Sequence, residues 1–93
     1  QTTKVLVTVF SPELKEKSID CSLSLRSSGV QTEIYLDENA SLEKQLKYAD
    51  KKGIAYAIII GPDEASKNLV TLRNMKTREQ EILNQKDLVS KLV

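Results

Sequence analysis

The sequence predicts an α/β domain: a mixed five-stranded sheet, parallel through its first three strands with an antiparallel return, flanked by three helices. Three observations carry that expectation. The opening run "KVLVTVF", Lys4 to Phe10, is β-branched and apolar on both faces, as befits a parallel strand covered on both sides. Strand-like and helix-like segments then alternate in the order β-α-β-α-β. The link from Gly61 to Lys67 is seven residues long, too short for a crossover, so the fourth strand must return beside the third.

Each element has its own local reason. Ser11-Pro12-Glu13 is a helix start, with a hydroxyl N-cap, proline in the first turn and an acid favourable to the dipole. The helix that follows carries Leu14, Ser18, Cys21, Ser22 and Leu25 on one face and stops at Gly29; its small residues allow a close approach to the sheet. "VQTEIYL", Val30 to Leu36, is the second strand. After the polar turn "DENAS", Ser41 caps a second helix whose apolar stripe is Leu42, Leu46 and Ala49 and whose stop is Gly53. "AYAIII" is the most hydrophobic strand and therefore central. Pro62-Asp63-Glu64 suits a single helical turn, and Asn68 suits the left-handed geometry that restarts the chain. "LVTLRNM" and "REQEIL" are the last two strands, broken at Lys76-Thr77. Gln85 to Val93 closes with a helix docking Leu88, Val89 and Leu92.

Composition bounds the function. Ninety-three residues make one domain, with 40% hydrophobic and 29% charged residues. No apolar run reaches the roughly 20 residues a bilayer requires, so no membrane partner is expected. Histidine is absent, which removes the commonest general base and metal ligand. The lone Cys21 sits among Ile19, Leu23 and Leu25, the setting of a buried thiol in a reducing compartment. The first strand-to-helix turn, "FSPEL", has no glycine and so matches neither a dinucleotide fingerprint nor a Walker loop. Asp37, Glu38, Asp63 and Glu64 are turn acids that do not obviously converge on a cation. No serine, threonine or lysine has an activating base at a recognisable spacing, so neither catalysis nor a metal site is expected here. A free-standing enzyme of flavodoxin-like shape is the least favoured class.

Net charge is +1 but unevenly spread: residues 1–40 carry four bases against six acids, residues 41–93 ten bases against seven acids. Lys44, Lys47 and Lys51 share one face of the second helix near Tyr48, opposite Leu42, Leu46 and Ala49. That face is either plain solvated surface or a stripe that tracks phosphates. With Val70 and Leu72 turned to the core, Thr71 and Arg73 face the other way. Glu64 and Arg73 then lie on the order of 10 Å apart by strand rise. That spacing suits gripping separate groups of an extended ligand such as single-stranded RNA, whose base edges pair with carboxylates and guanidinium groups.

Three stretches, "LRSSGV", "SLEKQLKYADKKGIAYAIIIGPDE" and "LVTLRNMKTREQ", together resemble the C-terminal anticodon-binding domain of class II aminoacyl-tRNA synthetases, with the histidyl branch nearest. Its markers here are Leu25-Arg26 with Gly29, Lys44-Gln45 leading to Ala49 and Gly53, Gly61 with Glu64, Val70 with Arg73, and Thr77 with Gln80. The resemblance implies that residues 1–93 are a non-catalytic anticodon-binding domain cut from a longer cytoplasmic synthetase, a view that fits a chain opening on Gln1. It also implies an ATP-dependent histidine-tRNA ligase as parent. ATP and Mg would belong to that parent's catalytic domain, with no cofactor in this one. The implied partners are tRNA, in particular the tRNA(His) anticodon stem-loop, the parent catalytic domain, and a second copy in a full-length homodimer.

Related threonyl enzymes read anticodon bases with the Glu of the Gly-x-x-Glu turn and the Arg of the next strand. By that resemblance Glu64 and Arg73 contact bases, joined by Glu38 or Asn39 from the turn after the second strand. Lys44, Lys47, Lys51, Lys67 and Arg78 are the expected phosphate contacts. Two positions depart from the branch, Asn68 and Arg78, both commonly glycine there. The alternative function is a synthetase-like regulatory domain, as in tRNA-sensing kinases, that mediates protein association; Ile19 and Leu23, off the main helix stripe, suit such a surface.

Overall fold

The computed structural model describes residues 3–93. Five strands, β1 (Val5–Val7), β2 (Thr32–Ile34), β3 (Tyr56–Ile59), β4 (Leu69–Asn74) and β5 (Gln80–Asn84), form one sheet in the order β2-β1-β3-β4-β5. β1 pairs in parallel with β2 and β3, β3 pairs antiparallel with β4, and β4 with β5. The parallel start and the antiparallel return are therefore as the sequence predicts. Helices are α1 (Lys15–Ser27), α2 (Leu42–Lys52), the one-turn α3 (Pro62–Ser66) and α4 (Gln85–Leu92). α3 is the helical turn expected after Gly61, so three longer helices flank the sheet.

The sheet divides the core in two. On one face Val5, Val7, Ile58, Ile60, Val70 and Leu72 pack against Cys21 and Leu25 of α1 and Leu88 and Leu92 of α4. On the other, Leu6 meets Ala49 of α2 and Ile54, with Tyr35, Tyr48 and Met75 around them. Two helices cover the first face, but α2 alone covers the second. Burial pushes the Cys21 thiol up to about 11, against a weaker opposing effect of the nearby Gln85 amide, so the sulfur is a neutral, inert core atom near neutral pH.

The ends of the helices show what the sequence encodes and what it does not. Ser41 caps α2 by accepting from the Lys44 amide at 3.2 Å, and Gly53 closes it at φ 72. Asn84 caps α4 through the Asp87 amide at 2.8 Å. Ser11 departs from the expected hydroxyl cap. The chain first makes a 3-10 turn over Pro12–Leu14, in which the Leu14 amide bonds the Ser11 carbonyl at 3.0 Å and the Ser11 side chain makes no cap bond.

α2 also differs in what it buries. The expected stripe was Leu42, Leu46 and Ala49, yet the buried residues are Gln45 and Ala49, with both leucines only half-buried. Gln45 is fully enclosed. Its Oε1 accepts from the Val9 amide at 2.7 Å, and its Nε2 donates to the carbonyls of Val9 at 2.8 Å and Ala40 at 3.0 Å. Val9 lies beyond the paired stretch of β1, where its backbone groups have no strand neighbour, and the glutamine amide takes that neighbour's place.

Candidate nucleic-acid interface

Strand register defines the face on which Arg73 stands. Ala57, Arg73 and Gln80 are paired across β3, β4 and β5, and Ile59, Thr71 and Ile82 form the next rung. Ala57 also pairs with Leu6, which meets α2, so these rungs lie on the α2 side of the sheet. α2 reaches only the β1 and β3 half. The β4 and β5 half is left open, and Ile82 is 61% exposed there.

Glu64 stands at the upper corner of this open half. Its Oε1 accepts from the Gly61 amide at 2.9 Å, the glutamate half of a capping box, and its Oε2 accepts from the Thr71 hydroxyl at 3.3 Å. A Cβ at Gly61 would sit 2.8 Å from Glu64 Oε1, so a larger residue there would make the carboxylate shift, while its 3.7 Å approach to the Phe10 ring is ordinary contact. The carboxylate is half-buried and keeps unused lone pairs beyond these two bonds. Arg73 is also half-buried. Its Nη1 donates to Gln80 Oε1 at 3.0 Å, while its Nε finds no hydrogen-bond partner among the described residues. Glu64 and Arg73 are thus tied to neighbouring rungs and form no ion pair with each other.

The remaining expected contacts scatter. Glu38 is paired with Lys15 at 2.7 Å, and Asn39 lies exposed in the turn where its amide bonds Asp37. Lys67 is exposed at the end of α3. Lys44, Lys47 and Lys51 are all exposed along α2. The azimuth of α2 is fixed by Tyr48, whose hydroxyl donates to Glu33 of β2 at 3.0 Å and whose ring meets Tyr35 edge-on at 5.4 Å. At roughly 100° per residue, Lys44 and Lys51 lie within about 60° of Tyr48, on the β2 flank, while Leu46 and Asp50 fall on the opposite flank. The lysine stripe and the Arg73 rung therefore occupy two sides of one helix, about 10 Å across. Gln45, Gln80 and Ile82 were not among the expected site residues. Gln45 and Gln80 carried a signal only as markers of the family resemblance, in "LEKQL" and "KTREQ", and Ile82 carried none.

Arg78 closes the β4–β5 hairpin at φ 68, with Asn74 Oδ1 holding the amides of Lys76 at 2.9 Å and Thr77 at 3.1 Å. An arginine pays a steric cost in this left-handed region that glycine avoids. Relief of the left-handed penalty, about 1–2 kcal/mol, outweighs the entropic cost of glycine, about 0.5–1 kcal/mol, so Arg78→Gly is expected to raise stability by about 0.5–1 kcal/mol in chemical denaturation. If Arg78 also meets a phosphate, the same variant lowers the salt dependence of RNA binding by about one ion.

One face of the sheet is thus covered by α1 and α4, while the other is covered by α2 only over β1 and β3 and carries paired hydrogen-bonding side chains on its open half. A family profile described as "Anticodon binding domain" matches residues 4–93. A histidine–tRNA ligase of Cytophaga hutchinsonii is 34% identical over 91 residues, 98% of this chain and 20% of that protein. One of Finegoldia magna is 44% identical over 68 residues, 73% of this chain and 16% of the relative. The crystal structure of histidyl-tRNA synthetase from Nostoc sp. PCC 7120 superposes with a TM-score of 0.92 at 30% identity, covering 98% of this chain and 22% of that one. The RNA-binding domain of threonyl-tRNA synthetase from Cryptosporidium parvum Iowa II shares the fold, with a TM-score of 0.90 at 24% identity over 96% of this chain. The chain belongs to the anticodon-binding domain family of class II aminoacyl-tRNA synthetases. Within that family it is akin to the domain of the histidyl-tRNA synthetases, and it spans about a fifth of the length of the curated relatives it matches.

Proposed function

We propose that the domain binds the anticodon stem-loop of tRNA(His) on behalf of a cytoplasmic histidine-tRNA ligase. Histidine activation with ATP and Mg falls to a separate catalytic domain of that enzyme, which works as a homodimer. The observation that carries this reading is the open β4–β5 half of the sheet, where Arg73 and Gln80 share a rung and Glu64 is tied to the next one. Guanidinium, amide and carboxylate together supply donors and acceptors for base edges. The lysines on the far flank of α2 suit a backbone that crosses the helix after its bases have turned onto the sheet. Glu64 repels phosphate, so it serves discrimination rather than raw affinity.

The test is binding of the tRNA(His) anticodon stem-loop by fluorescence anisotropy across salt, with scrambled loops as reference. Arg73→Ala is expected to weaken cognate binding roughly 5- to 150-fold, the span of a lost bidentate base contact. Lys47→Ala in the same titration serves as control, weakening all loops equally and flattening the salt dependence. Equal affinity for scrambled loops, unchanged by Arg73→Ala, would reject base reading. Self-association without RNA binding would favour the docking alternative.

A further inference from the structure

Ile82 is a large apolar residue turned to solvent in the middle of the open half-sheet. It is 61% exposed, although its cross-strand partner Thr71 is buried. Ile59 completes its rung on one side, and the Arg73–Gln80 pair lies one rung along. Successive rungs on one face are about 7 Å apart, a distance that a base ring with its edge groups covers. The surface is therefore an aliphatic plate bordered by guanidinium, amide, hydroxyl and carboxylate groups. Sheet faces that bind single strands stack unstacked bases on aromatic side chains while neighbouring groups meet the base edges; here the apolar contact is aliphatic.

Two features of the resting structure point to an occupant. An exposed isoleucine gains nothing where it stands, whereas covering its apolar area is favourable in proportion to the area removed from water. Arg73 is held by one exposed bond to Gln80 and leaves its Nε buried without a partner, a costly arrangement that a shift of the guanidinium onto a ligand relieves. The cleft lined by Cys21, Asn68 and Gln85 also holds a buried amide without a partner among the described residues, Gln85 Nε2, but it lacks an exposed apolar side chain beside that group, and its thiol is neutral.

We infer that Ile82 is the platform on which one unstacked nucleobase lies, with its polar edge directed toward Arg73 and Gln80. The inference rests on the RNA-binding function proposed above and adds the residue that holds the base in place. Specificity then divides between two rungs: Arg73 and Gln80 select the base edge, and Ile82 supplies the sequence-tolerant contact that fixes the plane of the ring. A protein partner is the other class of occupant for an exposed apolar side chain, and the experiment separates the two.

Binding of the tRNA(His) anticodon stem-loop is measured for wild type, Ile82→Ala, Ile82→Phe and Arg73→Ala, each checked for an unchanged thermal unfolding profile. A second set of stem-loops carries 2-aminopurine at each anticodon position in turn. Ile82→Ala is expected to weaken binding roughly five- to tenfold, the cost of losing most of one exposed aliphatic contact. Ile82→Phe should restore binding or tighten it, because a ring stacks on a base better than an aliphatic chain does. One 2-aminopurine position, and not all three, should change its emission when Ile82 is replaced. Unchanged affinity in Ile82→Ala beside a loss in Arg73→Ala overturns the platform and leaves base reading intact. A failure of Ile82→Phe to recover what Ile82→Ala loses also overturns it. So does an Ile82-dependent self-association without an effect on RNA. Absence of wild-type binding to any stem-loop removes the proposed function and this inference together.

Discussion

Gln45→Ala is expected to lower the unfolding free energy by about 3–5 kcal/mol, a large share of what a domain of this size possesses. The side chain is fully enclosed and makes three hydrogen bonds, two of them to the amide and carbonyl of Val9. Val9 is itself fully buried, so truncation leaves both of its backbone groups without partners. Each orphaned group costs about 1–3 kcal/mol, and the loss should move the thermal midpoint down by on the order of 20 °C. Gln45→Leu separates hydrogen bonding from volume. Leucine fills the space but neither donates nor accepts, so it should be no better than alanine; recovery of wild-type stability would mean that packing alone explains the position. Gln45→Glu gives a further sign. A carboxylate there would face the carbonyls of Val9 and Ala40, so the folded state favours its protonated form and raises its pKa. Its stability should be best below about pH 4, the unfolded value, and fall as pH rises toward neutrality.

The same residue shows where sequence patterning stops. The order of elements was legible because it rests on local signals: apolar runs on both strand faces, Ser41 and Gly53 at the ends of α2, and a seven-residue link that forbids a crossover. Gln45 was not, because helix periodicity assigns the inward face to leucines and has no term for a strand end that needs an amide partner. β1 was expected from Lys4 to Phe10 but pairs over Val5–Val7, with one further bond from the Thr8 amide to the Ile58 carbonyl at 2.9 Å before Gln45 takes over at Val9. At the site, the alternation of β4 placed Arg73 opposite Val70 and Leu72, as found. The separation of Arg73 from the lysine stripe was hidden. It depends on the azimuth of α2, which is set by Tyr48 reaching Glu33, a pair fifteen positions apart and in different elements. Ile82 was hidden for a similar reason. In "REQEIL" it looks like a core residue, and only the limited reach of α2 leaves it in water.

Glu64 carries two roles that a pair of substitutions should pull apart. As a capping residue it holds the Gly61 amide and the Thr71 hydroxyl, so Glu64→Ala should cost about 1–2 kcal/mol of stability. Glu64→Gln keeps an acceptor for Gly61 and offers its amide to the Thr71 oxygen, so its stability should stay within about 0.5 kcal/mol of wild type. RNA binding is expected to divide differently. A carboxylate that accepts from base amino or imino groups loses half of that capacity as an amide, and Glu64→Gln should weaken cognate stem-loop binding roughly 5- to 150-fold. Removal of a negative charge from a surface facing a polyanion acts the other way on sequence-independent binding. Scrambled loops should therefore bind the glutamine variant as well as wild type or slightly better, and discrimination collapses from both sides. The contrast is measured as the ratio of cognate to scrambled affinity at one fixed salt concentration. A glutamine variant with the wild-type ratio, beside an alanine variant impaired only in stability, would confine Glu64 to capping α3. The base-reading role on this face would then fall to Arg73 and Gln80, which meet across β4 and β5 without its help.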